Sequence, residues 1–190
     1  MVATVLRLQV QTAPLKQRPA GSGPYDPGPL LAVGALDVGP TGCSARVGGT
    51  VVPDVHSAGH PQSRHVRGVN GLSVLPRAHY AHLRSRYGPH LADGVAGENL
   101  LVDAGRLRLT AADLAGPLLL ETDQGDVTVD GVLAAAPCVE FARYVLGRDA
   151  GDLGPEVEAA LDDLDRGVRG FYLRVHGHGT VRAGARLLRA

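Results

Sequence analysis

The chain predicts a mainly β, α+β domain built round a β-barrel core with a few peripheral helices. Three observations carry this. Short β-type runs follow one another through most of the 190 residues. Glycine, proline and Asp-Gly punctuate them. The helical stretches interrupt them too irregularly for the strand-helix alternation of a doubly wound parallel sheet. The length and a hydrophobic content of 44% suit one substantial core and therefore one domain over residues 1–190.

The first segment, "TVLRLQV", alternates Leu6, Leu8 and Val10 with polar Arg7 and Gln9, the period of a half-buried strand. Residues 11–29 carry Pro14, Pro19, Pro24, Pro27 and Pro29 among glycines and form a Pro/Gly-rich surface loop, unable to make a helix or a central strand. "LLAVGALDV" and "SARVGGTVV" read as short strands whose glycines fit bends or bulges. "GLSVL" is a further strand, and Pro76 fits a first helical position because its missing N–H costs nothing there. Tyr80, Leu83 and Tyr87 then follow at helical spacing until Gly88-Pro89. "GENLLVD", "RLRLT", "GPLLLET" and "DVTVDGVLAAA" continue the β pattern as a meander or barrel wall. A helix is predicted over 139–147, and another begins at Pro155 with Val157, Leu161 and Leu164 on one face. "GFYLRVHGHGTVRAGARLL" predicts two strands joined at "HGHG" in a closing hairpin.

A formal net charge of zero argues against nucleic acid or an anionic membrane surface as partner. No apolar run approaches the roughly 20 residues that span a bilayer, and "MVATVLRLQVQ" has no basic leader, so the expected location is cytoplasmic. Cys43 and Cys138 are then expected as thiols. Eighteen of the 19 basic residues are arginine, Lys16 being the sole lysine, and the Ala/Gly/Arg-rich usage matches a GC-rich bacterial genome. Neither a phosphate-loop nor a dinucleotide-binding glycine motif is present.

Four local groups carry possible chemistry. In "DVHSAGHPQSRHVRGVNGLSV", Asp54, His56, His60 and His65 offer zinc-type ligands, but Gly59-Pro61 breaks any common helical face. The histidines then either bond backbone groups of a polar loop or join Arg64 and Arg67 as donors to a phosphate or other oxyanion. In "GVAGENLLV", Gly97 allows a tight turn with Glu98 and Asn99 at its tip, and Asn99 either shapes a pocket or closes the turn. In "AAAPCVEFARYVLG", Cys138 stands at a strand-to-helix transition, where unpaired N–H groups stabilise a thiolate and Arg143 adds to them if it points the same way. The alternative is a buried structural cysteine. Arg166, Arg169 and Arg174 in "RGVRGFYLRV" either bind phosphate or solvate strand ends.

Taken in order, the strand leading to the loop with Lys16, then "GLSVLPRAHYAHLRSRYG", Gly97-Glu98-Asn99-Leu100, Pro137-Cys138 and "RGFYLRVHGHGTVRAGARLL" resemble the MOSC family, named for the C-terminal domain of molybdenum cofactor sulfurases. The resemblance spans nearly the whole chain and implies a mostly β, barrel-like core. It also implies binding of the molybdenum cofactor (molybdopterin), with Cys138 in place of the family's characteristic cysteine as molybdenum ligand or persulfide carrier. Arg64, Arg67, Glu98, Asn99, Arg143 and Arg169 are the expected cofactor-binding residues. Many members carry a Gly-x-x-Gly-Asp-Arg run and a nearby histidine where this chain has "TGCSARVGGTVVPDVHSAGHPQSRH", and Asp54 and His56 are the candidates for that polar pair.

The expected function is a stand-alone MOSC protein that reduces N-hydroxylated compounds or transfers sulfur. A separate electron-transfer or sulfur-donor protein is expected as partner, since two cysteines cannot ligate an iron–sulfur cluster. Pyridoxal phosphate is not expected, because a Schiff base needs a lysine in a buried setting that a Pro-rich loop does not give Lys16. A non-catalytic cofactor-binding or chaperone module is the alternative, and a His-rich zinc site a weaker one.

Overall fold

The computed structural model describes residues 1–16, 23–105, 108–148, 151 and 153–190. Residues 17–22 of the Pro/Gly-rich loop, Pro19 included, lie outside the described residues, as do Arg106 and Leu107 of "RLRLT".

The chain runs β1 (Ala3–Gln11), β2 (Leu30–Val33), β3 (Ala35–Gly39), β4 (Gly42–Val47), β5 (Thr50–Pro53), β6 (Leu72–Pro76), α1 (Arg77–Tyr87), β7 (Leu100–Asp103), β8 (Leu118–Leu120), β9 (Val127–Ala134), α2 (Val139–Leu146), α3 (Pro155–Leu164), β10 (Phe171–Val175), β11 (Gly179–Arg182) and β12 (Arg186–Arg189). Strands β12-β8-β9-β10-β6-β7-β1 follow one another round a wall, and a β1–β12 pairing closes it into a seven-stranded barrel. Closure removes the open edges of the sheet. The wall is mixed because β6 and β7, separated by α1, run parallel in register Val74↔Leu100. β2 extends it outside β1, and β11-β3-β4-β5 form a second, small sheet.

The apolar spacing that predicts each strand also fixes what it buries. Every residue of β6 is buried because it has two covered faces: Leu72 and Val74 belong to the barrel core, while Leu75 packs in a second cluster with Tyr80, Leu83, Phe141 and Val145 of the helices. In α3, Val157, Ala160 and Leu164 are buried and Leu161 only partly so. β1 departs from simple alternation. A bulge between Val5 and Arg7 shifts its phase, so Val5, Leu8 and Val10 enter the core and Leu6 does not.

Three other expectations change. Each of the two strands predicted over residues 30–38 and 44–52 is two: the first breaks at Gly34, and the second is the β4–β5 hairpin. There Gly48 and Gly49 take φ of 56° and 84° between the paired Val47 and Thr50, which suits a type I′ turn. Pro76 ends β6 and is the extended N-cap of α1, so the helix begins at Arg77, one residue after the predicted first helical position. Finally, "HGHG" does not join a hairpin. β10 stays in the barrel between β9 and β6, β11 leaves to pair with β3, and β12 returns to close the barrel against β8 and β1. Alternation makes a strand but does not choose its neighbour. Arg108–Thr110 of "RLRLT" likewise carry no strand; Thr110 instead exchanges hydrogen bonds with Asp113 in a turn.

Candidate functional site

A cavity of about 110 Å³ opens beside the barrel where the β9–α2 connection, the loop after β1, the turn before β7 and the start of β10 meet. Cys138, Arg169, Arg64, His56, Glu98 and Lys16 line it.

Cys138 is the N-cap of α2, extended at φ −132° and ψ 154°, partly buried and without a side-chain capping bond. It lies four residues after the end of β9 and lines the cavity, outside the barrel core. Cys43 is different. It lies 2% exposed in β4, opposite Val38, and burial pushes its thiol well above the ordinary range, with Asp54 adding to the effect. The turn before it ends at Gly42, whose φ is 110°, and Cys43 is already an inward-facing strand position.

Below the cavity lies a buried polar network. Asp54, fully buried, accepts hydrogen bonds from the Gln11 backbone N–H (2.7 Å), the His56 backbone N–H (2.8 Å) and Asn99 Nδ2 (2.9 Å). His56 Nδ1 stands 3.1 Å from Asp54 Oδ1, an arrangement that puts the proton on Nδ1. Asn99 Oδ1 accepts from the Ser73 backbone N–H (3.0 Å) and Ser73 Oγ (2.9 Å), and its Nδ2 also reaches the Gln9 carbonyl at 3.3 Å. Asn99 therefore neither closes its own turn nor lines the cavity; it ties β1, β6 and the Asp54 loop together behind it.

Gly97 is what turns the chain from that network to the cavity wall. Its φ is +85°, a conformation strained for any residue with a side chain, and a Cβ would stand 2.8 Å from Leu15 Cδ1 and displace that side chain. Glu98 follows, 4% exposed, with Oε2 accepting from Tyr80 O–H at 2.8 Å; the same phenol oxygen accepts the Ala96 N–H at 2.9 Å. Burial, only partly offset by its own backbone bond, by Tyr80 and by Arg169 and Arg7, raises Glu98 to about 7. Its contribution to stability is therefore present at low pH and is lost as pH rises from the ordinary carboxylate range through about 7. Arg169 stacks its guanidinium 4.6 Å from the centre of the Phe141 ring.

The other predicted residues are elsewhere. Arg67 is exposed in a turn at φ 47°, away from the cavity lining, although Arg64 reaches it. Arg143 is buried in α2 and lines a separate small cleft with Tyr144 and Arg148. Arg166 and Arg174 are exposed. In the histidine stretch, His60 donates from Nε2 to the Thr12 carbonyl (3.1 Å) and accepts the Gln62 N–H at Nδ1 (2.9 Å). His65 donates from Nδ1 to the His56 carbonyl (2.9 Å) and accepts the Gly68 N–H at Nε2 (2.8 Å). All four ring nitrogens are engaged with backbone, the loop-ordering role weighed for these residues. Among the described residues no three His, Cys, Asp or Glu side chains group as a metal site. His60→Ala is expected to lower stability by about 1–2 kcal/mol with no change in zinc content by elemental analysis; loss of about one zinc per chain would contradict it.

Lys16, Gln11, Tyr25 and Tyr172 also line the cavity and escape sequence reasoning. Lys16 carried the one available signal, as the sole lysine of an arginine-rich chain.

A family model described as the MOSC domain matches residues 61–187. The chain belongs to the MOSC family. The match begins after Asp54 and His56, so the polar pair lies outside the matched residues. The fold is similar to that of the YuaD protein from Bacillus subtilis, with a TM-score of 0.61 and 14% identity over 98% of this chain and 94% of that one. It is also similar to YiiM from Escherichia coli, with a TM-score of 0.52 and 16% identity over 90% and 68%. A hypothetical protein of known crystal structure gives 0.57 and 16% over 97% and 67%. At such identities the likeness is one of fold. A search of curated proteins gives no match. Among the described residues no helix is long and apolar enough to cross a membrane.

Proposed function

We propose that this MOSC domain binds the molybdenum cofactor in the Cys138 cavity and serves, in the cytoplasm, either reduction of N-hydroxylated compounds or sulfur transfer through Cys138. One observation carries the reading: the accessible thiol of the two shares a small cavity with Lys16, Arg64 and Arg169, whereas the other is sealed in the core. The donor set fits such a group. A thiolate is a soft ligand suited to molybdenum, and the three cations suit a phosphate-bearing pterin. Arg169 Nε and Glu98 Oε1 are buried without a hydrogen-bond partner among the described residues, as groups awaiting a ligand would be.

When bound, the cofactor supplies a redox-active molybdenum centre. The chain's own part is to hold and orient. Cys138 would ligate, while Arg64, Arg169 and Lys16 would neutralise negative charge. Asp54 fixes the His56 ring by its Nδ1, leaving Nε2 as the ring's proton-accepting atom at the cavity. At 110 Å³ the cavity takes one end of a ligand, since pockets enclosing drug-sized molecules run to about 300–1,000 Å³. Electrons would come from a separate protein.

The test is molybdenum and released pterin per chain after purification from a host that makes the cofactor. A near-stoichiometric value of both is expected. A folded protein free of both, able to take up neither from added cofactor, would overturn the reading.

A further inference from the structure

Leu133 faces outward although the pattern of its strand points it inward. β9 buries Val127 and Val129, and simple alternation would carry Leu133 into the barrel as well. A bulge prevents this: between the pairs Tyr172↔Leu133 and Arg174↔Asp130, β9 takes three steps where β10 takes two, with Gly131 at φ 63° as the left-handed residue. Val132 and Ala134 pack on the core instead, and Leu133 stands 49% exposed on the outer face beside Tyr172. Tyr172 lines the Cys138 cavity, so this leucine sits at the cavity's mouth. It is not alone there. Arg174 is exposed on the same outer face of β10, and a Cβ on Gly68 would stand 3.9 Å from Arg174 Cγ, so the 66–70 turn packs against it. That turn carries Val66, 58% exposed, and the exposed Arg67. Adjacent exposed apolar side chains with a charged rim mark an interaction surface.

We propose that this face, with Leu133 and Val66 as its apolar contacts and Arg67 and Arg174 as its basic ones, docks an acidic electron-transfer protein at the mouth of the cavity. The proposal rests on the reductive reading of the cavity and adds the surface that would receive the electrons. Reduction of an N–OH group to N–H and water takes up two electrons and two protons; the docked carrier is oxidised and supplies the electrons, and solvent supplies the protons.

Charge selects the occupant. The chain has a formal net charge of zero, so attraction to a charged protein has to come from a local excess. Arg77, Arg84, Arg86, Arg182 and Arg186 are each paired with a carboxylate, whereas Arg67 and Arg174 form no ion pair among the described residues. Asp130, the carboxylate opposite Arg174, is taken by His176, whose Nε2 stands 2.7 Å from Oδ1. An acidic surface complements such a face, and a basic one is repelled. A second copy of this chain fits poorly, because a two-fold axis through the patch sets the same arginines against each other.

Binding of the full chain to a [2Fe–2S] ferredoxin, an acidic carrier, tests this, with cytochrome c as a basic carrier for comparison. Ferredoxin is expected to bind and cytochrome c not, and the affinity for ferredoxin should fall about tenfold or more between about 50 and about 300 mM salt as the charges are screened. Arg67→Glu combined with Arg174→Glu should weaken ferredoxin binding about tenfold or more, and Leu133→Ser about fivefold with the salt dependence unchanged. Arg189→Glu on β12, across the barrel from β10 in strand order, should change neither. Molybdenum content should stay at the wild-type level in every variant, while reduced ferredoxin is reoxidised more slowly by the loaded double variant than by the loaded wild type when an N-hydroxylated compound is present. No ferredoxin binding, binding untouched by the double reversal, or equal binding of cytochrome c overturns the proposal and leaves cofactor binding standing. So does a Leu133-dependent dimer of the free chain, or ferredoxin that binds the loaded protein through these arginines and passes it no electrons. Ferredoxin bound through these arginines by a protein that takes up neither molybdenum nor pterin keeps the docking surface and sinks the cofactor reading.

Discussion

Cys138→Ser is expected to lower molybdenum retention about tenfold or more while leaving thermal stability essentially unchanged. The first half follows from chemistry, because the substitution replaces a soft, ionisable sulfur with a hydroxyl that binds soft metals poorly. The second follows from position. Cys138 is an extended N-cap residue that makes no capping bond of its own, and serine is among the preferred residues there, so the helix loses nothing. Cys43→Ser should do the reverse. It puts a hydroxyl at a 2% exposed core position and should cost about 1–3 kcal/mol while molybdenum content stays at the wild-type level. Iodoacetamide should label Cys138 in the metal-free folded protein and reach Cys43 only on unfolding. Full molybdenum retention in the Cys138 variant would refute the ligand role outright.

Asn99→Ala is the second large effect, this time on stability. One side chain satisfies the Ser73 N–H and hydroxyl, the Gln9 carbonyl and the Asp54 carboxylate, all buried. Removing it leaves the Ser73 N–H and hydroxyl without their acceptor and takes one donor from Asp54, which keeps the Gln11 and His56 bonds; an unpaired buried polar group costs about 1–3 kcal/mol. The expected loss is about 3–5 kcal/mol, or about 10 °C in melting temperature for a chain of this size. Asn99→Asp should do no better, since it retains the acceptor for Ser73 but sets a second carboxylate against Asp54, 2.9 Å away in the wild type. Cofactor retention should fall in both, because the network fixes His56 and the base of the Glu98 turn. A melting temperature within about 2 °C of wild type in Asn99→Ala would show that the network adds little.

Much of this was legible in the chain itself. Period-2 alternation marks β1, β9 and β10, helical spacing marks α1 and α3, and the Pro137-Cys138 junction marks the start of α2, because each depends on neighbours within a few positions. The motifs Gly97-Glu98-Asn99 and Pro137-Cys138 likewise give the family. What only the tertiary structure decided is which segments meet. Arg64, Arg67, Arg143 and Arg169 are alike as residues, yet the fold brings Arg64 and Arg169 to Cys138, leaves Arg67 on an exposed turn and directs Arg143 to another cleft. Lys16, in a proline-rich loop, joins them from the far end of the sequence. The strand after "HGHG" pairs with β3, 143 residues away at the Thr180–Asp37 hydrogen bond, and not with the strand before it. Cys43 and Cys138 part company for the same reason. Local sequence sets backbone conformation through sterics and hydrogen bonds between near neighbours, whereas burial and proximity depend on contacts between distant segments, which only closure of the barrel brings together.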